Sequence, residues 1–354
     1  MVEMIDAARE HVEVEFYTIA RSAAADRLGA ALRRAAARGL RVRVLVDAFG
    51  SSALPGDWSV GLMAAGVDLR WFNPRPLLRW SFRNHRKLVA CDGGCAIIGG
   101  FNVAREYEGD GITQGWRDFG VRIDGPVVAE LTGGFEALFA AAELRRRQLR
   151  PLARFLRKQQ VDARLPSALV GGPGSSRALM RQTLHADLKR AQRVDVVAAY
   201  FVPSRRIRRL LRGVNRRGTV RVLLAAKSDV PLSRWASQSL YPRMLRVGAK
   251  VYEYQPQILH AKLLVIDDVL YVGSANLDTR SLHLNFELLV RLPSAQLAAQ
   301  VRERIDFDCS LSRPVPADWA TRRTLLQRLM QSWAYFLITR IDPFLARRKF
   351  RHLS

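Results

Sequence analysis

The sequence predicts an α/β protein made of two similar halves, each a sheet with helices on both faces. Three observations predict it. Short aliphatic runs alternate with longer segments of near-helical period, the pattern of layered α/β folds. The order of these segments recurs in the second half, with matching punctuation: Gly39 and Gly218, Gly66 and Gly248, and Pro74 and Pro256 hold corresponding places. Finally, one constellation of polar residues occurs twice, with its histidines 175 positions apart.

In chain order, residues 5–11 close a helix and 12–19 form a strand. Asp26 opens a helix to Ala37, stopped by Arg38-Gly39. Residues 40–46 are a strong strand, 61–66 are helical, and 67–72 form a strand ending at Pro74. A strand around Leu88 follows, then a strand over 119–123 and a helix over 127–150 that turns basic near its end. The second half repeats this order. It has a helix over 175–193, a strand over 194–202, a basic helix over 204–215 and a strand over 220–225. A helix over 240–247, a strand over 251–254 and strands at 263–266 and 270–272 complete it. Gly171-Gly172-Pro173-Gly174-Ser175 lacks the Gly-Lys-Ser/Thr ending of a phosphate loop and reads as a strand-to-helix turn. The strand-like run at Leu169-Val170 has no counterpart in the first half, so the first sheet is expected to hold one strand fewer, as in a chain shortened at its start.

The duplicated constellation is His85-Arg86-Lys87, Asp92 and Gly99-Gly100-Phe101-Asn102, against His260-Ala261-Lys262, Asp267 and Gly273-Ser274-Ala275-Asn276. Each His and Lys are two apart, so on an extended chain they point to one side. An imidazole beside an ammonium suits phosphate chemistry: the first attacks or donates a proton, the second holds phosphoryl oxygens. Lys87, Lys262, Asn102 and Asn276 are the candidates for that holding role, with Ser274 adding a hydroxyl contact that Gly100 cannot give. Two ammonium groups make a metal unnecessary for charge neutralisation, and no cofactor is expected. Asp92 and Asp267 lie an odd number of residues past their histidines, face away on an unbroken strand, and read as structural. Each imidazole needs an acid to fix its tautomer. Asp118, 33 positions after His85, and Glu287, 27 after His260, each stand just before or at a strand and are the candidates.

This duplicated His-x-Lys-x4-Asp pattern resembles the phospholipase D superfamily. The run from Val272 to Leu288, with Trp116-Arg117-Asp118, is most similar to the bacterial cardiolipin synthases, and the likeness covers nearly the whole chain. The resemblance implies two α-β-α sandwich halves about a pseudo-twofold axis, with the active site between them. It implies a phosphatidyl transfer through a phosphohistidine, with His85 as nucleophile and His260 as general acid, though near-symmetry leaves the residues themselves silent on which is which. Asp118 and Glu287 occupy the places of the family's orienting acids. The implied reaction makes cardiolipin from two phosphatidylglycerol molecules, with phosphatidylethanolamine as another possible donor. Hydrolysis by the same fold, as in a phospholipase D or a nuclease, is the first alternative; an idle lipid-binding module is the second.

Composition bounds the partners. Lys and Arg number 57 against 32 acidic residues, a net charge of +25 that calls for a polyanion. Anionic phospholipids and a membrane surface fit best; nucleic acid fits the charge but not the apolar segments at Arg75–Asn84 and in the tail. No apolar run approaches the ~18–20 residues of a spanning helix, so a peripheral place on the cytoplasmic face of a bacterial inner membrane is expected. Cys91, Cys95 and Cys309 read as free thiols. The expected organisation is residues 1–150 and 167–312 as the halves, 151–166 as a basic linker and 313–354 as a basic amphipathic tail. Arg75–Asn84, with Leu77, Leu78, Trp80 and Phe82 among arginines, is either a packed lid or a wedge into lipid at the mouth of the site. Residues 319–341 place Leu325, Leu326, Leu329, Met330, Trp333, Phe336 and Leu337 near helical spacing, flanked by Arg322, Arg323, Arg328 and Arg340 and followed by Arg347, Arg348, Lys349 and Arg351. That is a helix packed on the second half or, as the basic flanks favour, one lying on an anionic leaflet.

Overall fold

The computed structural model describes residues 1–74, 83–143, 154–155, 160–172 and 177–341. The apolar residues of the 75–84 loop, the basic end of the helix expected to reach 150, most of the linker, the turn at 173–176 and the basic cluster 347–351 lie outside the described residues.

The first half runs α1 (Val2–Ala7), β1 (His11–Phe16), α2 (Ala23–Ala37), β2 (Arg41–Asp47), α3 (Gly56–Ala64), β3 (Asp68–Phe72), β4 (Leu88–Cys91), β5 (Cys95–Gly99), β6 (Gly120–Asp124) and α4 (Val127–Ala140). Its six-stranded sheet has the order β3-β2-β1-β4-β5-β6, parallel among the first three strands and antiparallel beyond. α2 starts three residues before Asp26 because Ser22 caps it, its hydroxyl accepting from Ala25 N at 3.1 Å.

The second half runs β7 (Ser167–Gly171), α5 (Arg177–Arg190), β8 (Arg193–Ala198), α6 (Arg205–Arg217), β9 (Thr219–Ala225), α7 (Pro231–Gln238), α8 (Tyr241–Arg246), β10 (Lys250–Tyr254), β11 (Lys262–Ile266) and β12 (Val269–Gly273). It continues with α9 (Thr279–His283), β13 (Glu287–Pro293), α10 (Ala295–Ser310), β14 (Ser312–Pro314), α11 (Trp319–Arg322) and α12 (Leu325–Phe336). The sheet order β14-β10-β9-β8-β11-β12-β13-β7 contains the first sheet's order within it, β10 to β13 matching β3 to β6. Among the described residues the second sheet is longer by two strands, not one. β7 lies outside β13, and β14, which its three-residue length hid in the sequence, pairs with β10. α7 also escaped sequence reading: its eight residues begin at Pro231 and carry no long apolar stripe.

One continuous cluster of buried apolar side chains joins one face of each sheet to α4 and α10, drawing on Phe72, Leu88, Ile98 and Phe135 from the first half and Leu263, Val272, Leu288 and Ile305 from the second. The opposite faces are covered by α1, α2 and α3 on the first sheet and by α5, α6 and α8 on the second. The sheets therefore share a core, and the two ends at which β4 and β11 begin are brought together. No described helix is long and apolar enough to cross a membrane. Cys91 and Cys95 stand opposite one another across β4 and β5 as thiols, and Cys309 is also unpaired.

Candidate active site

His85 and His260 each precede an inner strand, β4 and β11, and both line one cavity of about 400 Å³ with Tyr17, Tyr107, Trp116 and Tyr200. What holds them there is a pair of isolated parallel bridges between the halves. Asn84 pairs with Phe286 and Arg117 pairs with Leu259. His85 N donates to Phe286 O at 2.9 Å, and His260 N donates to Arg117 O at 2.7 Å. In a parallel pairing the residues that follow each partner leave on the same side, so the bridges set His85 beside Glu287 and His260 beside Asp118.

The acids are thus crossed. Counting along the chain ties each acid to the histidine of its own half, whereas the fold gives each histidine the acid of the other half. His85 Nδ1 lies 3.1 Å from Glu287 Oε2 and 3.1 Å from Ser274 O. Both neighbours are acceptors, so Nδ1 carries the proton and Nε2 keeps its lone pair. His260 Nδ1 lies 2.7 Å from Asp118 Oδ2, which fixes the same tautomer. Lys262 Nζ and the Tyr107 hydroxyl stand against the ring edge of His260, 2.9 and 3.3 Å from Nδ1 and 3.1 and 3.4 Å from Nε2.

The lysines point with their histidines, as alternation requires. Lys87 Nζ donates to His85 O at 2.6 Å and faces the Tyr17 ring at 5.4 Å; Lys262 Nζ donates to His260 O. Both are buried, and burial drives the titrations of the site. It pulls the His85 imidazole well below its usual range, with Lys87 and Lys262 adding repulsion. Burial and Lys262 also lower His260, against the opposing pull of Asp118. The Lys262 ammonium is pulled down to about 8, and Lys87 also falls well below an ordinary lysine, with Lys262 as its second cause. Glu287, fully buried, is pushed up to about 7.

Two expected roles change on inspection. Ser274 is not open to a substrate: its hydroxyl donates to Glu287 Oε2 at 2.5 Å and accepts from Leu288 N at 3.0 Å, so it orients the acid that serves His85. The corresponding Gly100 is small for a matching reason, since a Cβ there would stand 2.4 Å from Asp118 Oδ1. Asn102 has both ends of its amide engaged, accepting from Thr18 N at 3.1 Å and donating to the Tyr107 hydroxyl at 3.0 Å. It therefore aims Tyr107 at His260. Asn276 differs: among the described residues its buried amide oxygen has no hydrogen-bond partner, and the residue lines the cavity.

Asp92 and Asp267 face away from the site. Asp92 accepts from the backbone N–H of Arg9, Glu10 and His11, and Asp267 from those of Gln192 and Arg193. Each has positive φ, 53° and 47°, and clamps the turn after its motif strand to the start of the neighbouring strand. The aromatic wall was not legible from spacing. Tyr107 sits in a single turn at Arg105–Tyr107, and no periodicity marks it. Trp116, 5.4 Å from the His260 ring, was visible only as part of Trp116-Arg117-Asp118.

Comparison with known proteins bears on this geometry. The family described as "Cardiolipin synthase, PLD-like domain" matches residues 1–138 and 184–308. The chain is 35% identical over 340 residues to cardiolipin synthase A of Pseudomonas putida (strain W619), a match covering 92% of this chain and 69% of that protein. It is 35% identical, over 92% of this chain and 68% of the relative, to cardiolipin synthase A of Pseudomonas aeruginosa (strain LESB58). In fold it is similar to the crystal structure of phosphatidylserine synthase from Haemophilus influenzae Rd KW20, with a TM-score of 0.74 and 16% identity, covering 98% of this chain and 91% of that one. Polyphosphate kinase from Porphyromonas gingivalis is a more distant fold relative, with a TM-score of 0.54 and 13% identity over 94% of this chain and 53% of that one.

Proposed function

The chain belongs to the phospholipase D-like cardiolipin synthase family, and from that premise we propose that it joins two phosphatidylglycerol molecules into cardiolipin by a double displacement at His85. It is a phosphatidyltransferase of the cardiolipin synthase type. The finer scheme is supported above all by the crossed contacts, His85 to Glu287 and His260 to Asp118, which leave each imidazole its Nε2 for work on phosphorus or oxygen.

In the first step His85 Nε2 attacks phosphorus, the bond from phosphorus to the glycerol oxygen breaks, and His260, entering the step as the imidazolium that Asp118 favours, gives that oxygen its Nε2 proton. In the second, a hydroxyl of the acceptor phosphatidylglycerol returns a proton to His260 and attacks phosphorus. The nitrogen–phosphorus bond breaks and His85 is restored. Lys87 and Lys262 face the developing charge, and Asn276 is the amide left available to the substrate. Burial and then both lysines hold each imidazole from protonation, and at His260 Asp118 opposes that pull; on this contrast we assign His85 as nucleophile and His260 as proton carrier. We place this chemistry at the cytoplasmic face of a bacterial inner membrane, on the net charge of +25 and the lipid substrate.

The test is incubation of the purified protein with phosphatidylglycerol vesicles and separation of the products. Cardiolipin with released glycerol is expected. Phosphatidic acid alone means hydrolysis, and cleavage of DNA in a parallel incubation means a nuclease. The pH profile gives a second expectation. Lys262 is charged below about 8 and neutral above it. Its contribution is therefore present at pH 7 and lost as pH rises, so kcat/KM should fall about tenfold per pH unit well above 8. A profile flat to about pH 10, near an ordinary lysine pKa, removes the charged Lys262 from the mechanism.

A further inference from the structure

Helix α12 is an amphipathic helix mounted with its apolar face outward. Thr324 and Gln327 form a capping box that starts it independently of its surroundings. Its inner stripe is small or polar. Ala334 is buried against Val202 and Ala236, Gln331 Nε2 donates to Gln238 Oε1 at 3.4 Å, and the Tyr335 hydroxyl accepts from Arg208 Nη1 at 2.9 Å. Its outer stripe holds Leu326, Leu329, Trp333 and Phe336, which keep 67%, 60%, 62% and 53% of their surface exposed. These positions follow the i, i+3, i+7 spacing of one helix face. A row of large apolar side chains turned to water in this way marks a surface for another apolar phase.

Two features identify that phase. The stripe is bordered by cations: Arg322, Arg328 and Arg340 are exposed beside it, and Arg208 joins α12 to α6, whose Arg205, Arg209 and Arg212 are also exposed. The helix that carries the stripe also reaches the catalytic cavity on its inner side: Ile338, in the widened turn Leu337–Ile341 that continues α12, packs with Ala334 and lines that cavity with Val230 and His260. A two-chain phospholipid must bring its phosphate to His85 while its acyl chains stay in an apolar medium. An apolar ledge at the cavity mouth with a cationic border meets both needs on an anionic bilayer.

We propose that α12 and the turn after it are the surface on which this protein docks to an anionic bilayer, and that substrate lipid passes from the bilayer into the cavity beside Ile338 and Val230. The inference rests on the reading of the chain as a phosphatidyltransferase and adds where the membrane sits. The experiment uses the full chain and the variant Leu326→Ser/Leu329→Ser/Trp333→Ser, whose sites are exposed and outside the catalytic set. Binding is measured on phosphatidylglycerol vesicles by co-sedimentation, and activity both on vesicles and on monodisperse short-chain phosphatidylglycerol. The variant should bind vesicles at least tenfold more weakly and lose vesicle activity in proportion. Its activity on the short-chain lipid should stay within twofold of wild type, and added salt should weaken binding of the intact chain. Undiminished vesicle binding by the variant overturns the proposal. So does a change in oligomeric state without a change in vesicle binding, which assigns the stripe to a second copy of the chain.

A measurement on the unaltered stripe guards against misfolding of the variant. Lipids brominated in their acyl chains should quench part of the wild-type tryptophan emission, and Trp333→Phe should remove most of the quenched part. Emission indifferent to bromine at saturating vesicles overturns the proposal. A wild type that binds and is quenched yet transforms neither form of the lipid leaves the docking surface standing and removes the functional reading.

Discussion

His85→Ala and His260→Ala should each lower cardiolipin formation by more than ~10⁴-fold, beyond the range of an ordinary lost acid or base, because each histidine acts in both steps. Neither can replace the other. Each imidazole is fixed by its own crossed acid, and the backbone bridges Asn84–Phe286 and Arg117–Leu259 hold the two on opposite sides of the site. The variants should also be distinguishable. A phosphatidyl ester with a nitrophenol leaving group needs no proton on departure, so His260→Ala should still release a first equivalent of nitrophenol and stall. His85→Ala should release none. A burst from His85→Ala reverses the two roles, and near-normal cardiolipin formation by either variant ends the two-histidine mechanism. The acids should follow the crossed pattern. Glu287→Gln should cost little more once His85 is gone, while Asp118→Asn should cost little more once His260 is gone.

Arg86→Ala should destabilise the fold by ~3–5 kcal/mol, the usual consequence of stranding one member of a buried ion pair. Arg86 and Glu15 are both fully buried, with Nη2 and Oε2 3.1 Å apart. Arg86 Nη1 also donates to Gly134 O at 3.1 Å, and Glu15 Oε1 accepts from Asn84 Nδ2 at 2.7 Å. The pair thereby ties β1 and α4 to the residues on either side of His85. Its satisfaction is incomplete, since among the described residues Arg86 Nε, Arg86 Nη2 and Glu15 Oε2 make no hydrogen bond, the last two meeting only as an ion pair. Replacing both residues, Glu15→Gln with Arg86→Met, should therefore recover most of the loss. Denaturant unfolding of the single and double variants decides this. A single-variant loss under ~1 kcal/mol, the scale of an exposed pair, means the pair contributes no more than a surface contact. The second motif has no such pair, for Ala261 holds the corresponding position and is buried in the shared apolar core.

Much of this was legible in one dimension. Most of the strands along each half, the stops at Gly39 and Gly218, and the shared side of each His-x-Lys pair are local properties. They follow from a period of two, a period of 3.6 and the punctuation of Gly and Pro. Asp92 and Asp267 do turn outward, but from left-handed turns just past the ends of β4 and β11, where alternation no longer applies. Periodicity stops where contact between distant segments begins. It names Asp118 and Glu287 as candidates, but only the bridges between the halves assign each to the other half's histidine. It makes Ser274 and Asn102 polar residues near the site, but only their neighbours show that Glu287 holds the first and Thr18 and Tyr107 hold the second. It draws an apolar stripe along residues 325–337 without saying which side of the helix meets protein. That was decided by α7, which offers α12 a surface fit for Ala334 and Gln331 and leaves the leucines and Trp333 facing outward. A chain carries its own periods within itself, whereas the partner that uses each face comes from elsewhere in the fold.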